Sequence, residues 1–196
     1  MSALRITPLD PAGYRRTPWK NGGGVAIDIA GASVSDAASN DWNDTRWRFG
    51  RTRIDVAAPF SDLSGYDRMQ MVVAGHGLVL QTQDGEIDLR QPGVPVRFAG
   101  DTPIVSRLEA GPVEVVNLIG DRGRIAIDLV LLTAHRAAEL EAGVHVLYAA
   151  FGPCVVQCEG LEHELPSDHA LQIESTLTVK VTGLRGRVVL GSAMPR

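Results

Sequence analysis

Trp19-Lys20-Asn21-Gly22-Gly23-Gly24 sets an aromatic plate, a cation and an amide against three consecutive glycines. Glycine reaches backbone conformations closed to other residues and lets a ligand or a strand approach closely. Ordering three of them costs conformational entropy that something must offset. Indole, ammonium, carboxamide and backbone N–H groups together suit a small anionic ligand. The plain alternative is a turn between two N-terminal strands. Arg68, in Gly65-Tyr66-Asp67-Arg68, is a second candidate, because its planar fork matches a carboxylate. Its alternative is an ion pair with a nearby acid, the commoner fate of an Asp-Arg dipeptide. Asn117 is the third. In Val113-Glu114-Val115-Val116-Asn117-Leu118-Ile119, alternate residues share a strand face, and Asn117 falls with Val113, Val115 and Ile119. A buried amide there needs partners, from the protein or from a ligand.

Other chemistries fare worse. Cys154 and Cys158 stand four apart in an expected strand, about 13 Å from each other, too far to share a zinc ion or a disulfide. They read as buried free thiols. His76, His135, His145, His163 and His169 are scattered; His163-Glu164 and His169 flank a Pro166-Ser167-Asp168 turn and read as solvated loop residues. There is no G-x-S-x-G elbow, P-loop or dinucleotide fingerprint, which disfavours an ordinary hydrolase or nucleotide enzyme.

The elements that must position these residues are short strands. Glycine, proline and Asx turns recur roughly every 8–12 residues, the rhythm of a sandwich or barrel. Strands are expected over 25–29, 47–56, 69–74, 78–82, 94–98, 103–108 and 113–119, with Asp84-Gly85 as a hairpin turn. Residues 1–18 read as an extended arm and 31–45 as an exposed loop. Gly120-Asp121-Arg122-Gly123 separates two halves of similar rhythm. In the second half, strands are expected near 125–132, 144–151, 155–158, 170–173, 177–181 and 187–190, with Gly183 in a turn. Residues 134–142 carry good helix formers and allow a helical turn or two before Gly143. The natural reading is two joined barrels, residues 1–120 and 121–196, packed as one compact unit.

The chain has 196 residues, enough for a well-buried core, and a formal charge of -4 from 19 basic and 23 acidic residues. That near balance, without a basic cluster, argues against nucleic-acid and anionic-membrane partners. No secretory pattern and no apolar run near the roughly 20 residues of a membrane span is present, so a cytoplasmic location is expected.

Several motifs, taken in order, carry a resemblance. Trp19-Lys20-Asn21-Gly22-Gly23-Gly24, Ala58-Pro59-Phe60-Ser61, Gly65-Tyr66-Asp67-Arg68, and Gly111-Pro112 with Asn117 resemble the HutD/Ves family, from about residue 5 to residue 132 and more loosely beyond. The resemblance implies an all-β chain of two cupin-type β-barrels, a bicupin. It also implies association with histidine utilisation and binding of formylglutamate or a related intermediate, with no established catalytic activity. The family's pocket residues fall on Lys20, Asn21, Arg68 and Asn117. Trp19 would wall the pocket, and backbone N–H groups of Gly22 and Gly23 would face the ligand. Departures stand at Val25-Ala26-Ile27, where many relatives have Thr and a charged pair, at Ile119 for a methionine, and at Leu63-Ser64-Gly65 for Phe-Pro-Gly. A hydroxyl and some charge are therefore absent near the site, which bears on the ligand's identity.

The cupin comparison also bears on metal. Residues 64–71 lack the His-x-His of metal-binding cupins, Thr102-Pro103 stands where a later histidine is expected, and His169 has no such partner. A metal-free pocket without a cofactor is expected. The leading function is binding of a small acidic metabolite, to sense or sequester it. One alternative is a metal-independent isomerase or lyase with Lys20 as base, its pKa lowered in part by Arg68. Another is a structural or protein-interaction module. Edge strands of such barrels can also pair between copies, which is compatible with a homodimer.

Overall fold

The computed structural model describes residues 3–18, 24–33 and 44–196. In chain order its strands are β1 (Leu4–Leu9), β2 (Arg15–Pro18), β3 (Gly24–Ser33), β4 (Thr45–Ile54), β5 (Tyr66–Ala74), β6 (Leu78–Thr82), β7 (Gly85–Leu89), β8 (Pro95–Ala99) and β9 (Val105–Leu108). They continue as β10 (Val113–Asp121), β11 (Ile125–Thr133), β12 (Ala137–Leu140), β13 (Gly143–Tyr148), β14 (Cys154–Cys158), β15 (Leu161–Leu165), β16 (Ala170–Ser175), β17 (Val179–Arg185) and β18 (Arg187–Pro195). A single 3-10 turn, Pro11–Gly13, is capped by the Asp10 carboxylate. The chain is all-β.

The strands form four antiparallel sheets, and the apolar clusters show how these stack. An outer sheet, β7-β6-β9, lies over β2-β3-β4-β10-β5-β8; a second outer sheet, β12-β17-β14-β15, lies over β1-β16-β13-β18-β11. The first pair encloses Ile54, Val72, Leu78, Leu80, Leu89, Phe98, Val113 and Val115. The second pair encloses Leu147, Cys154, Val156, Cys158, Ile173 and Val181. Between the two inner sheets lies a central core with Phe49, Met71, Leu118, Leu129, Tyr148 and Val189. An inner sheet therefore buries both faces, which is why β5 and β10 carry nearly unbroken apolar runs whereas the outer β15 does not.

The structure differs from the sequence reading at several elements. Residues 137–140 form strand β12 against β17 rather than a helical turn. The segment between His135, held at φ 64°, and Gly143 is too short for a stable helix, and as a strand it buries Leu140. Gly183 lies inside β17, beside a register shift opposite β14, and a Cβ there would stand 2.5 Å from the Thr133 carbonyl oxygen. The turn falls at Gly186, φ 76°. His163 lies in strand β15, paired with Val156, and not in a loop. β3 runs on to Ser33, past the expected loop start. The hairpin turn is Gln83-Asp84, since Thr82 pairs with Gly85. The extended N-terminal arm is structured: β1 pairs with β16, so residues 4–9 belong by their hydrogen bonds to the sheet of the second half.

Candidate functional site

Period 2 decides what faces the space between β7-β6-β9 and its inner sheet. On β5, Met69, Met71 and Val73 enter the central core, so Arg68, Gln70 and Val72 point the other way. On β10, Val116 and Leu118 enter the central core, and Val113, Val115, Asn117 and Ile119 turn with Arg68. The pairing of β10 with β5 sets Asn117 opposite Gln70 and Ile119 opposite Arg68. Arg68 and Asn117 are thus diagonal neighbours on one sheet face, as the ligand-site reading requires. Trp19, Lys20, Asn21, Gly22 and Gly23 lie outside the described residues; the strands flanking them, β2 and β3, pair Pro18 with Val25 at the same sheet.

Arg68 is the central group. Its side chain is almost fully buried, and its guanidinium lies 4.9 Å from the ring centre of Phe60 and 5.2 Å from that of Phe98. Both rings are fixed locally. Phe98 is the cross-strand partner of Arg68 on β8. Phe60 is held by its N–H to the Ile104 carbonyl at 2.9 Å, next to the mutual bonds of Ala58 and Ser106 at 3.0 Å. Gly65, at φ 87°, supplies the turn that leads into β5. The Asp-Arg dipeptide does not pair with itself: Asp67 lies on the opposite face of β5, with Met69, and takes Arg122 at 2.8 Å. Among the described residues Arg68 Nε has no hydrogen-bond partner, and burial alone pushes the guanidinium's pKa down to about 10. At neutral pH it remains a cation, with no described carboxylate acting on it. A buried cation packed against two aromatic rings, with an open donor, has the chemistry to take an anion.

Polar neighbours line the same face. Gln70 Nε2 donates to Asn117 Oδ1, and Asn117 Nδ2 donates to Thr52 Oγ1 at 3.0 Å. Farther along, Asp28 of β3 lies in the row of Gly50 and Asn117 and is bound by Arg15 at 2.8 Å and by Arg48. Two arginines face one acid there. Sequence reasoning missed Gln70, Thr52, Asp28 and Arg48. Gln70 carried the same signal as Asn117, a carboxamide in an apolar run; the other three show only through strand pairing.

The second half offers no comparable face. Its enclosed core is apolar apart from Ser192 and His145, whose ring nitrogens meet Ser192 Oγ at 2.8 Å and the Glu141 carbonyl at 2.9 Å. Burial lowers the pKa of His145, so it serves as a satisfied neutral core histidine. Cys154 and Cys158 are free and buried, as their spacing suggested. Among the described residues, no group of three or more His, Cys, Asp or Glu side chains is arranged to hold a metal ion. No described helix is long and apolar enough to cross a membrane.

Known proteins match this chain along most of its length. A family model described as HutD matches residues 11–189. A relative described as an uncharacterized 21.2 kDa protein in the hutC 3' region of Pseudomonas putida is 29% identical over 168 residues, covering 83% of this chain and 82% of its own. The structure of HutD from Pseudomonas fluorescens SBW25, in a formate condition, superposes with a TM-score of 0.81 at 27% identity, covering 98% of this chain and 100% of that one. A conserved protein of unknown function from Pseudomonas aeruginosa PAO1 gives 0.82 at 23% identity, with 99% of each chain covered. Remoter solved structures share the cupin-like all-β fold and nothing further.

Proposed function

Because the chain belongs to the HutD family, we propose that it is a binding protein for a small acidic metabolite of histidine utilisation, sensing or sequestering it without metal. The reading rests on one observation: Arg68 is buried, cationic, packed against Phe60 and Phe98, and has no described anionic partner. A carboxylate would complete it with charge-assisted hydrogen bonds. We take the two stacked sheet pairs as two cupin-type barrels, the first holding the ligand and the second packed solid. Formylglutamate is the leading occupant, on the strength of the family resemblance and of a relative named for its place beside hutC. Lys20 and Asn21, in the link between β2 and β3, would supply the remaining polar contacts. The unpaired thiols Cys154 and Cys158 suit a reducing, cytoplasmic setting.

Calorimetry with N-formyl-L-glutamate, L-glutamate, urocanate and histidine tests this. A charged hydrogen bond is worth about 1.5–3 kcal/mol, so Arg68→Ala should weaken the tightest of these ligands about tenfold or more. Lys20→Ala should do the same if the glycine-rich link contributes its cation. Equal binding by wild type and Arg68→Ala would remove the basis of the reading, as would the absence of binding by all four compounds.

A further inference from the structure

Arg68 is not the only incomplete group on this face. Gln70, two residues along β5 and 1% exposed, has a buried carboxamide oxygen with no hydrogen-bond partner among the described residues. Its nitrogen is committed to Asn117, whose own nitrogen is committed to Thr52. The three side chains form a relay with one N–H of each carboxamide directed toward β4, and the Gln70 oxygen is the open end. Its register neighbour on β8, Val96, and its neighbour Val72 on the same face of β5 carry no donor, and its other same-face neighbour, Arg68, does not bond it through Nε. Reversing the relay would turn the Gln70 NH2 outward beside a buried cation, which the Arg68 charge opposes. A buried acceptor without a donor costs about 1–3 kcal/mol, and an occupant that supplies the donor removes that cost.

Two positions on one face of a strand lie about 6.6 Å apart, so one small molecule reaches both. We propose that the occupant carries a hydrogen-bond donor beside its carboxylate, as an N-acylamino acid does through its amide N–H, and that Gln70 reads that donor. The inference rests on the carboxylate reading of Arg68 and adds a requirement that Arg68 alone does not impose. A simple dicarboxylate satisfies the cation and leaves the Gln70 oxygen unmet; a secondary amide of suitable length satisfies both. Gln70 is therefore a specificity residue: it discriminates between carboxylates that Arg68 accepts alike.

The test compares N-formyl-L-glutamate with 2-formyloxyglutarate, in which an ester oxygen replaces the N–H and the shape is otherwise kept. Titration calorimetry on the full-length wild type should show at least tenfold tighter binding of the amide. Gln70→Met, similar in length and without the acceptor, should bring the amide down to the affinity of the ester and leave the ester unchanged. Arg68→Ala should weaken both. Equal affinities for the two compounds in wild type, or tighter binding of the ester, would overturn the donor reading, and that comparison needs no variant to fold. A preference that survives in Gln70→Met would also overturn it. In each of those cases a loss of both ligands in Arg68→Ala would leave the carboxylate site standing. If neither compound binds wild type, the carboxylate reading fails, and the Gln70 proposal with it.

Discussion

A guanidinium taken out of water loses several kcal/mol of hydration, and Arg68 recovers about 0.5–2 kcal/mol from each of its two ring contacts. Its Nε stays unmet. A residue kept for folding alone would be better as an apolar side chain of the same length, because burying an unpaired charge opposes the folded state. We therefore expect ligand-free Arg68→Met to be more stable than wild type by about 1–2 kcal/mol. At roughly 2–4 °C per kcal/mol for a chain of this size, calorimetry would read a rise of several degrees in Tm. A variant that melts below wild type would mean that the guanidinium is already satisfied in the free protein. At this scale the sequence is legible only where periodicity speaks. Asn117 shares its face with Val113, Val115 and Ile119, so its burial can be read directly. Gln70 obeys the same rule within residues 69–74, but an apolar run buried on both faces hides which of its members face a ligand. That Gln70 bonds Asn117, and Asn117 bonds Thr52, is a fact of strand pairing and not of spacing.

Strand β4 shows how one element serves two sites. Thr52 faces the side of Asn117 and Arg68, and Arg51, its neighbour, faces the other half of the molecule. Arg51 binds Glu114 of β10, the Tyr148 hydroxyl of β13 at 3.1 Å, and Asp168 in the turn before β16. Burial pushes the Tyr148 hydroxyl up to about 12, despite Arg51, so it stays protonated and donates to Asp168 at 3.0 Å. Tyr14 donates to the Asp168 carbonyl at 2.9 Å. These bonds hold Asp168 at φ 64°, a left-handed conformation that an aspartate tolerates better than most residues. Arg51→Met would leave Glu114 and Asp168 without their shared cation. We expect a loss of about 1–3 kcal/mol in urea unfolding, between the values of exposed and fully buried pairs. Ligand affinity should change less than threefold, because Arg51 points away from the ligand face. An unchanged unfolding midpoint would show that the cluster behaves as a surface pair. Elements were legible where turns frame an apolar run, as at β5, β6 and β10. They were not legible at β12, whose Ala-Ala-Glu-Leu favours helix and becomes a strand only through pairing with β17. β15 escaped for a similar reason: Leu161-Glu162-His163-Glu164-Leu165 is an outer strand, and mostly exposed.

Across the whole molecule, the four sheets are tied by one central core, and this decides whether the halves open together. Phe49 of β4 reaches the second half's inner sheet at Gly191, where an added Cβ would stand 2.6 Å from the Phe49 ring. Its ring also meets Tyr148 edge-on at 6.1 Å between centroids. β1 adds a covalent crossing, since the chain leaves it to enter the first half after pairing with β16. Opening the second half alone would strip the central core from one side, so we expect the chain to unfold as a unit. Cys154 and Cys158 report on this. They are 3% and 0% exposed, and burial holds the Cys154 thiol up at about 11, so labelling requires opening. A ligand at 100 times its Kd stabilises the native state by about 2.7 kcal/mol. If opening is global, labelling of both thiols by a disulfide reagent should slow about 100-fold on adding such a ligand, although it binds in the other half. Labelling rates indifferent to the ligand would instead show that the second half opens alone and that the two pairs of sheets are energetically separate.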